Sequence, residues 1–270
     1  MSTLPPELYL RVGRQSLAVR CITAAPTCPS ELQGGAFRVS LHCISRVNNW
    51  DRLKRIAASK PQGFLAKHVK SICMPVSTVS VREASEILAL CTGLERLACW
   101  IDHRPADAAF PQSICVGTLA LRRLSIELSH FLSLSDDLGA FEAHLTHLEL
   151  IYWETHVAHY PTTVDLARFP RLTNFALRSD STRFQWPLEM VLSMKRSCLR
   201  LEILVLLDYL RGHSEAALLG LNDRRVVRVI SEVALYDWEP ESKKVHEWEV
   251  RLGKGDMWTR GEDMIRRNTS

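Results

Sequence analysis

Six segments of the chain carry apolar residues at one fixed spacing, apolar-x-x-apolar-x-apolar. They are Val69-Ile72-Met74, Leu94-Leu97-Cys99, Leu121-Leu124-Ile126, Leu145-Leu148-Leu150, Leu172-Phe175-Leu177 and Leu201-Leu204-Leu206. Successive segments start 25, 27, 24, 27 and 29 residues apart. The alternation in the second half of each segment is the period of a strand with one buried face. Its recurrence at a near-constant interval predicts one strand per repeated unit, with the units stacked side by side.

Helical spacing fills several of the intervals. Ser80 to Cys91 and Pro187 to Ser197 read as amphipathic helices running into the second and sixth segments, and Asp136 to Ala143 as a shorter one before the fourth. A strand, a helix and a return to the next strand form the crossover unit of a parallel sheet. With a period inside the roughly 20–29 residues of leucine-rich repeats, the fold class expected is α/β. The architecture is a leucine-rich-repeat-like solenoid, with a curved parallel sheet on the concave face and helices on the convex face. Before the repeats, residues 36–44 alternate like a strand. Asn49 to Ala57 has helical spacing, with Asn49 in a capping position. Residues 225–230 look like a final strand, and a tail bearing Trp238, Trp248 and Trp258 is expected to cap the last repeat, whose core would otherwise face water. The organisation read from these signals is an N-terminal segment over 1–35, a solenoid over 36–235 and a cap over 236–270.

Because side chains alternate along a strand, residues between or beside the repeat leucines point to the opposite face. This selects Arg96 and Trp100 from the second unit, Arg123 and Glu127 from the third, and His147 and Glu149 from the fourth. Asn174 and Arg178 follow from the fifth. Tryptophan beside arginine is the composition of a binding hot spot, so a protein partner is expected on this concave face. Ile203, Val205 and Leu207 would also point outward, and three exposed apolar side chains in one strand require a cover, either the tail or a partner.

Composition narrows the field by exclusion. The net charge of +4 is spread over scattered basic pairs with no run of four, which argues against a nucleic-acid surface. The first nineteen residues hold no signal-peptide core, and no window suits a membrane span, so cytoplasm or nucleus is expected. Eight cysteines form no CxxC pair, and Cys73, Cys91 and Cys99 read as replacing leucine at repeat positions, as reduced, buried thiols would. His144, His147, His156 and His159 make two HxxH pairs. On a helix such a pair could share a zinc ion, but His147 falls in an expected strand and His144 before it, so no metal is assigned. His246-Glu247 lacks a second histidine at Val250, and Gly253-Lys254-Gly255-Asp256 lacks the rest of a phosphate loop. With no GxSxG and no cysteine in a catalytic setting, neither an enzymatic activity nor a cofactor is expected.

Leu4-Pro5-Pro6-Glu7-Leu8, followed by these repeats, resembles fungal F-box-like/leucine-rich-repeat-like proteins. Phe64 to Lys70, Cys91 to Leu97, Leu145 to Leu148, Phe169 to Thr173 and Asp256 to Trp258 add to the likeness, which covers roughly 36–268. In such families a short three-helix F-box docks on the Skp adaptor of a cullin–RING ubiquitin ligase, and the repeats hold the substrate. The resemblance therefore implies a substrate adaptor that touches the Skp adaptor through Leu4, Pro5 and Leu8. Residues 9–35 lack the usual second and third helices, although Ser16 to Cys21 fits a remnant of one. A repeat scaffold without a ligase role and a metal-dependent enzyme remain as alternatives.

Overall fold

In the second to sixth repeats the first leucine precedes the strand and the second and third apolar residues lie in it, whereas in the first repeat Val69 already opens the strand. In four repeats the backbone N–H of that first residue bonds back to the preceding turn. Leu94 donates to Cys91 O, Leu145 to Phe141 O, Leu172 to Phe169 O and Leu201 to Cys198 O, all at 3.1–3.2 Å. The very next residue then begins the pairing with the previous repeat. The Lys70, Glu95, Arg122, Thr146 and Thr173 carbonyls each accept from the following unit, as when both Thr146 N and His147 N donate to Arg122 O. Every repeat is thus anchored to its neighbour at one equivalent point before its strand starts.

The computed structural model describes residues 9–12, 15–18, 20–22, 38–41, 47–74, 81–100, 119–134, 140–152, 164–179, 188–208, 223–230 and 256–269. In chain order the strands are β1 (Tyr9–Val12), β2 (Gln15–Ala18), β3 (Arg20–Ile22), β4 (Arg38–Leu41), β5 (Val69–Met74), β6 (Arg96–Cys99), β7 (Arg123–Glu127), β8 (His147–Tyr152), β9 (Asn174–Ser179), β10 (Ile203–Asp208) and β11 (Val226–Ile230). The helices are α1 (Val47–Ser59), α2 (Phe64–His68), α3 (Val81–Leu90), α4 (Leu128–Ser133), α5 (Ala140–His144), α6 (Leu188–Ser197) and α7 (Met257–Thr269).

The protein is α/β, built on an open sheet whose strand order, β11-β10-β9-β8-β7-β6-β5-β4-β3, follows the sequence. From β5 to β11 all seven strands are parallel. Strand β4 joins β5 in parallel through a register shift at Val39/Ser40, and β3 pairs antiparallel with β4 at the edge. Between β6 and β9 the equivalent residues stand opposite one another: Leu97, Leu124, Leu148 and Phe175 form one row and Cys99, Ile126, Leu150 and Leu177 another.

That register makes a single core. All three apolar residues of all six segments belong to one buried cluster, shared with Ala84, Ile87 and Leu88 of α3, Met190, Val191 and Met194 of α6, Phe131 of α4 and Phe141 of α5. The three contacts from α3 and from α6 follow helical spacing, so each helix lays one stripe on the sheet. Cys91 and Cys198 lie in this cluster as free thiols, and burial pushes the Cys91 thiol up to about 12, which leaves it protonated and chemically quiet. At the last strand, Arg225 and Lys195 grip the Asp223 carboxylate, tying the turn before β11 to α6.

Some boundaries differ from the sequence reading. Helix α1 starts at Val47, placing Asn49 inside its first turn rather than at the cap. Of Ser16 to Cys21, suggestive of a helical remnant, Ser16 to Ala18 lie in β2 and Arg20 and Cys21 in β3, and Leu10 stands opposite Leu17 in the β1–β2 pair. Two short paired strands satisfy each other's backbone groups, whereas a lone helical turn of that length does not sustain itself. Leu4, Pro5, Leu8, Trp238, Trp248, His156 and His159 lie outside the described residues.

Gly93 is fixed by close packing. A methyl group there would lie 1.8 Å from the Ala66 carbonyl oxygen and 2.9 Å from its carbon, and this is backbone that cannot swing aside. Replacing it with alanine is expected to lower stability by about 2–4 kcal/mol. Urea denaturation checks this, and an unchanged midpoint would contradict the close approach of α2 to the Gly93 turn.

Candidate functional site

The other face of the sheet carries what lies between the repeat leucines. Its first row runs Ser71, Arg96, Arg123, His147, Asn174 and Ile203 across β5 to β10. The second row runs Cys73, Ala98, Ser125, Glu149, Ala176, Val205 and Val227. A third, starting from Glu127, continues through Ile151, Arg178, Leu207 and Val229. All eight residues selected from the sequence therefore share this face. Five of them, Trp100, Glu127, Glu149, Asn174 and Arg178, are buried, while Arg96, Arg123 and His147 are partly buried. The exposed Trp100 expected from the alternation is instead 1% exposed, because its indole is built into a polar chain.

That chain crosses four repeats. Trp100 Nε1 donates to Ser125 Oγ at 2.7 Å, and Ser125 Oγ donates to Glu149 Oε2 at 2.5 Å. The other carboxylate oxygen of Glu149 accepts from Arg178 Nε at 2.7 Å. Glu149 is fully buried and Arg178 is 3% exposed, so this is a desolvated ion pair. Such pairs give little net stability but are costly to break by halves. Nearby, Glu127 turns the chain from β7 into α4 by accepting from His130 N at 3.1 Å.

Helix α7 lies over the first row. Asp256 precedes it as a cap, its Oδ1 accepting from Thr259 N and from Thr259 Oγ1, each at 2.9 Å. Its Oδ2 accepts from Arg123 Nη1 at 2.8 Å, with Asp256 itself 2% exposed. Met257, Trp258 and Ile265 join a second apolar cluster with Ile203, Val205, Leu207, Val227 and Val229. Between them Gly261 faces β10 and β11: a methyl there would meet Ile203 Cδ1 at 2.6 Å and Val205 Cγ2 at 3.0 Å. The tail thus supplies the cover that Ile203 and Val205 require, on the face of the sheet.

His147 sits under this helix. The Trp258 ring stands edge-on to it, 5.3 Å between centroids and at 79°, and Thr146 Oγ1 lies 2.8 Å from its Nδ1. Burial, reinforced by Arg123 and Arg96 and only partly offset by Asp256, lowers the imidazole pKa from 6.5 to about 4. It is neutral at physiological pH. His144 ends α5 whereas His147 opens β8, and no group of three or more metal-ligating side chains occurs among the described residues.

The sequence reading missed Asp256 and Gly261. Their signal was present as an aspartate followed by apolar residues at 257, 258 and 265, a capped helical stripe around a glycine. No protein-family model and no curated protein matches the chain.

Two expectations follow from this geometry. Replacing Arg178 with methionine strands the Glu149 charge and should cost about 3–5 kcal/mol, and adding Glu149→Leu should recover part of that loss. A double-mutant cycle by urea denaturation measures the coupling, and additive losses would deny the ion pair. As for pH, the unfolded chain protonates His147 near 6.5 and the folded chain only near 4, so the unfolded state holds more protons between those values. Stability should fall as pH drops through that window, by at most about 3 kcal/mol from this residue, and His147→Gln should remove that slope. Asp223, whose carboxyl Arg225 holds below its ordinary 3.8, adds its own loss only at still lower pH. Urea midpoints at pH 7.5, 6 and 5 for both proteins read the difference.

Proposed function

We propose that the chain is a non-enzymatic protein-binding module, a leucine-rich-repeat-like solenoid with its sheet on the concave side and its helices on the convex side. The second sheet face receives a protein partner around Arg96, Arg123 and His147. The observation that carries this reading is that a peptide segment already docks there: α7 is held by an ion pair, an aromatic contact and a glycine seat on side chains from β7, β8, β10 and β11. The buried polar chain from Trp100 to Arg178 holds β6 to β9 in fixed relation beneath that surface. The compartment that suits free cysteines and a Skp-linked role is the cytoplasm or nucleus.

On the resemblance of Leu4 to Leu8 and the repeats, the module serves as an F-box-like substrate adaptor of a cullin–RING ubiquitin ligase. A second reading, a repeat scaffold with no ligase role, is favoured by the paired strands β1 (Tyr9–Val12) and β2 (Gln15–Ala18), where an F-box needs helices. Co-purification of the full chain with the Skp adaptor, beside an F-box protein as control, separates the two. Association supports the adaptor, and its absence while the control binds leaves the scaffold. Affinity purification with mass spectrometry then identifies the partner, and Arg96→Glu/Arg123→Glu is expected to reduce its capture at least tenfold.

A further inference from the structure

The geometry points to α7 as an intramolecular ligand that holds the binding face closed and yields to a partner helix of matching chemistry, a regulation that rests on the protein-binding reading above. Arg96 and Arg123 stand directly opposite each other on adjacent strands, an arrangement of like charges that costs stability unless an anion joins it. Asp256 supplies the carboxylate, bonding Arg123 Nη1 at 2.8 Å while it caps its own helix. Trp258 then rests on His147, and Gly261 lets the helix close on Ile203, Val205 and Val227.

These contacts all belong to the second apolar cluster or to the polar row beside it. The repeat leucines and residues of the helices α1 to α6 form the first cluster, which contains no residue of α7. The sheet's hydrogen bonds and its main core therefore persist when α7 leaves. A competing segment must repeat what α7 presents: an aspartate or glutamate at a helix N-cap, an apolar residue and an aromatic one directly after it, and a small residue five positions beyond the acid. That defines the partner as an amphipathic helix with an acidic N-terminus.

The probe is a fluorescent peptide of residues 254–270 of this chain, titrated against full-length proteins by anisotropy. In the wild type the tethered helix competes at an effective concentration of the order of millimolar, so added peptide should bind weakly. Gly261→Trp forces a large ring against β10 and β11, and Asp256→Arg sets three cationic residues together. Each should free the face and bind the peptide at least tenfold more tightly than the wild type does. A peptide carrying Asp256→Lys should lose that gain, as should the Gly261→Trp protein given Arg123→Glu. Circular dichroism and thermal melting establish that the variants fold, with Asp256→Arg carrying the test if Gly261→Trp does not.

Folded variants that bind the peptide no better than the wild type overturn the proposal, and so does failure of both variants to fold, since α7 is then integral to the folded unit. Exchange without any cellular protein captured removes the adaptor and scaffold functions and leaves α7 exchangeable. Capture of a partner by the wild type, undiminished by excess peptide, removes the exchange and leaves the binding function.

Discussion

In-register parallel pairing of the repeat strands is the constraint on which the rest of the molecule depends. Because the backbone carbonyls of Lys70, Glu95, Arg122, Thr146 and Thr173 each take the N–H groups of the next unit, every strand begins at the same height. A slip of one residue in a strand would turn its leucines away from the helices, and in β6, β7, β8 or β9 it would put a charged or polar side chain among them. The spacing of the repeats therefore decides two things together: a continuous apolar face for α3 to α6, and a second face whose composition is whatever lies between the leucines.

That second face is not a solvated sheet: it carries a second apolar cluster, completed by Met257 and Trp258, and a buried polar chain runs through it. Its middle rows carry Ser125, Glu149 and Arg178 in a hydrogen-bonded chain with Trp100, each group satisfying the next where water is excluded. Its first row stays partly open at Arg96, Arg123 and His147, and there a helix from the far end of the chain lies down. The junction mixes an ion pair with an aromatic edge and a glycine contact, a composition closer to an interface between molecules than to a repeat core. The same burial that keeps His147 neutral keeps a third positive charge away from the two arginines.

The repeats were legible because their period is local and strict. Leu97, Leu124, Leu148 and Phe175 announce their strands and their facing without reference to anything distant, and the amphipathic helices before β6 and β10 are equally plain. Which residues share the second face followed from alternation alone. Whether they meet solvent did not follow: Trp100 reads as exposed by pattern and is buried, because its neighbours Ser125 and Glu149 lie 25 and 49 positions away and give its N–H a partner. The tail was legible only as something that covers apolar surface. Its helix and its seat on β7 to β11 depend on Asp256 finding Arg123, 133 residues earlier.

By itself, then, the sequence determined the repeat strands, their order of stacking and the split of side chains between two faces, though not the short strands β1 to β3, because only the repeats are set by periodicity within about thirty residues. Only the tertiary structure decided what the second face is for the molecule: a buried polar chain in its middle and a docked helix at its edge. The reason is physical. Burial and charge pairing are properties of residues brought together in space: the groups that neutralise Arg123 and shield His147 come from the C-terminal helix more than 100 residues away, and that helix seats Gly261 on the last two strands.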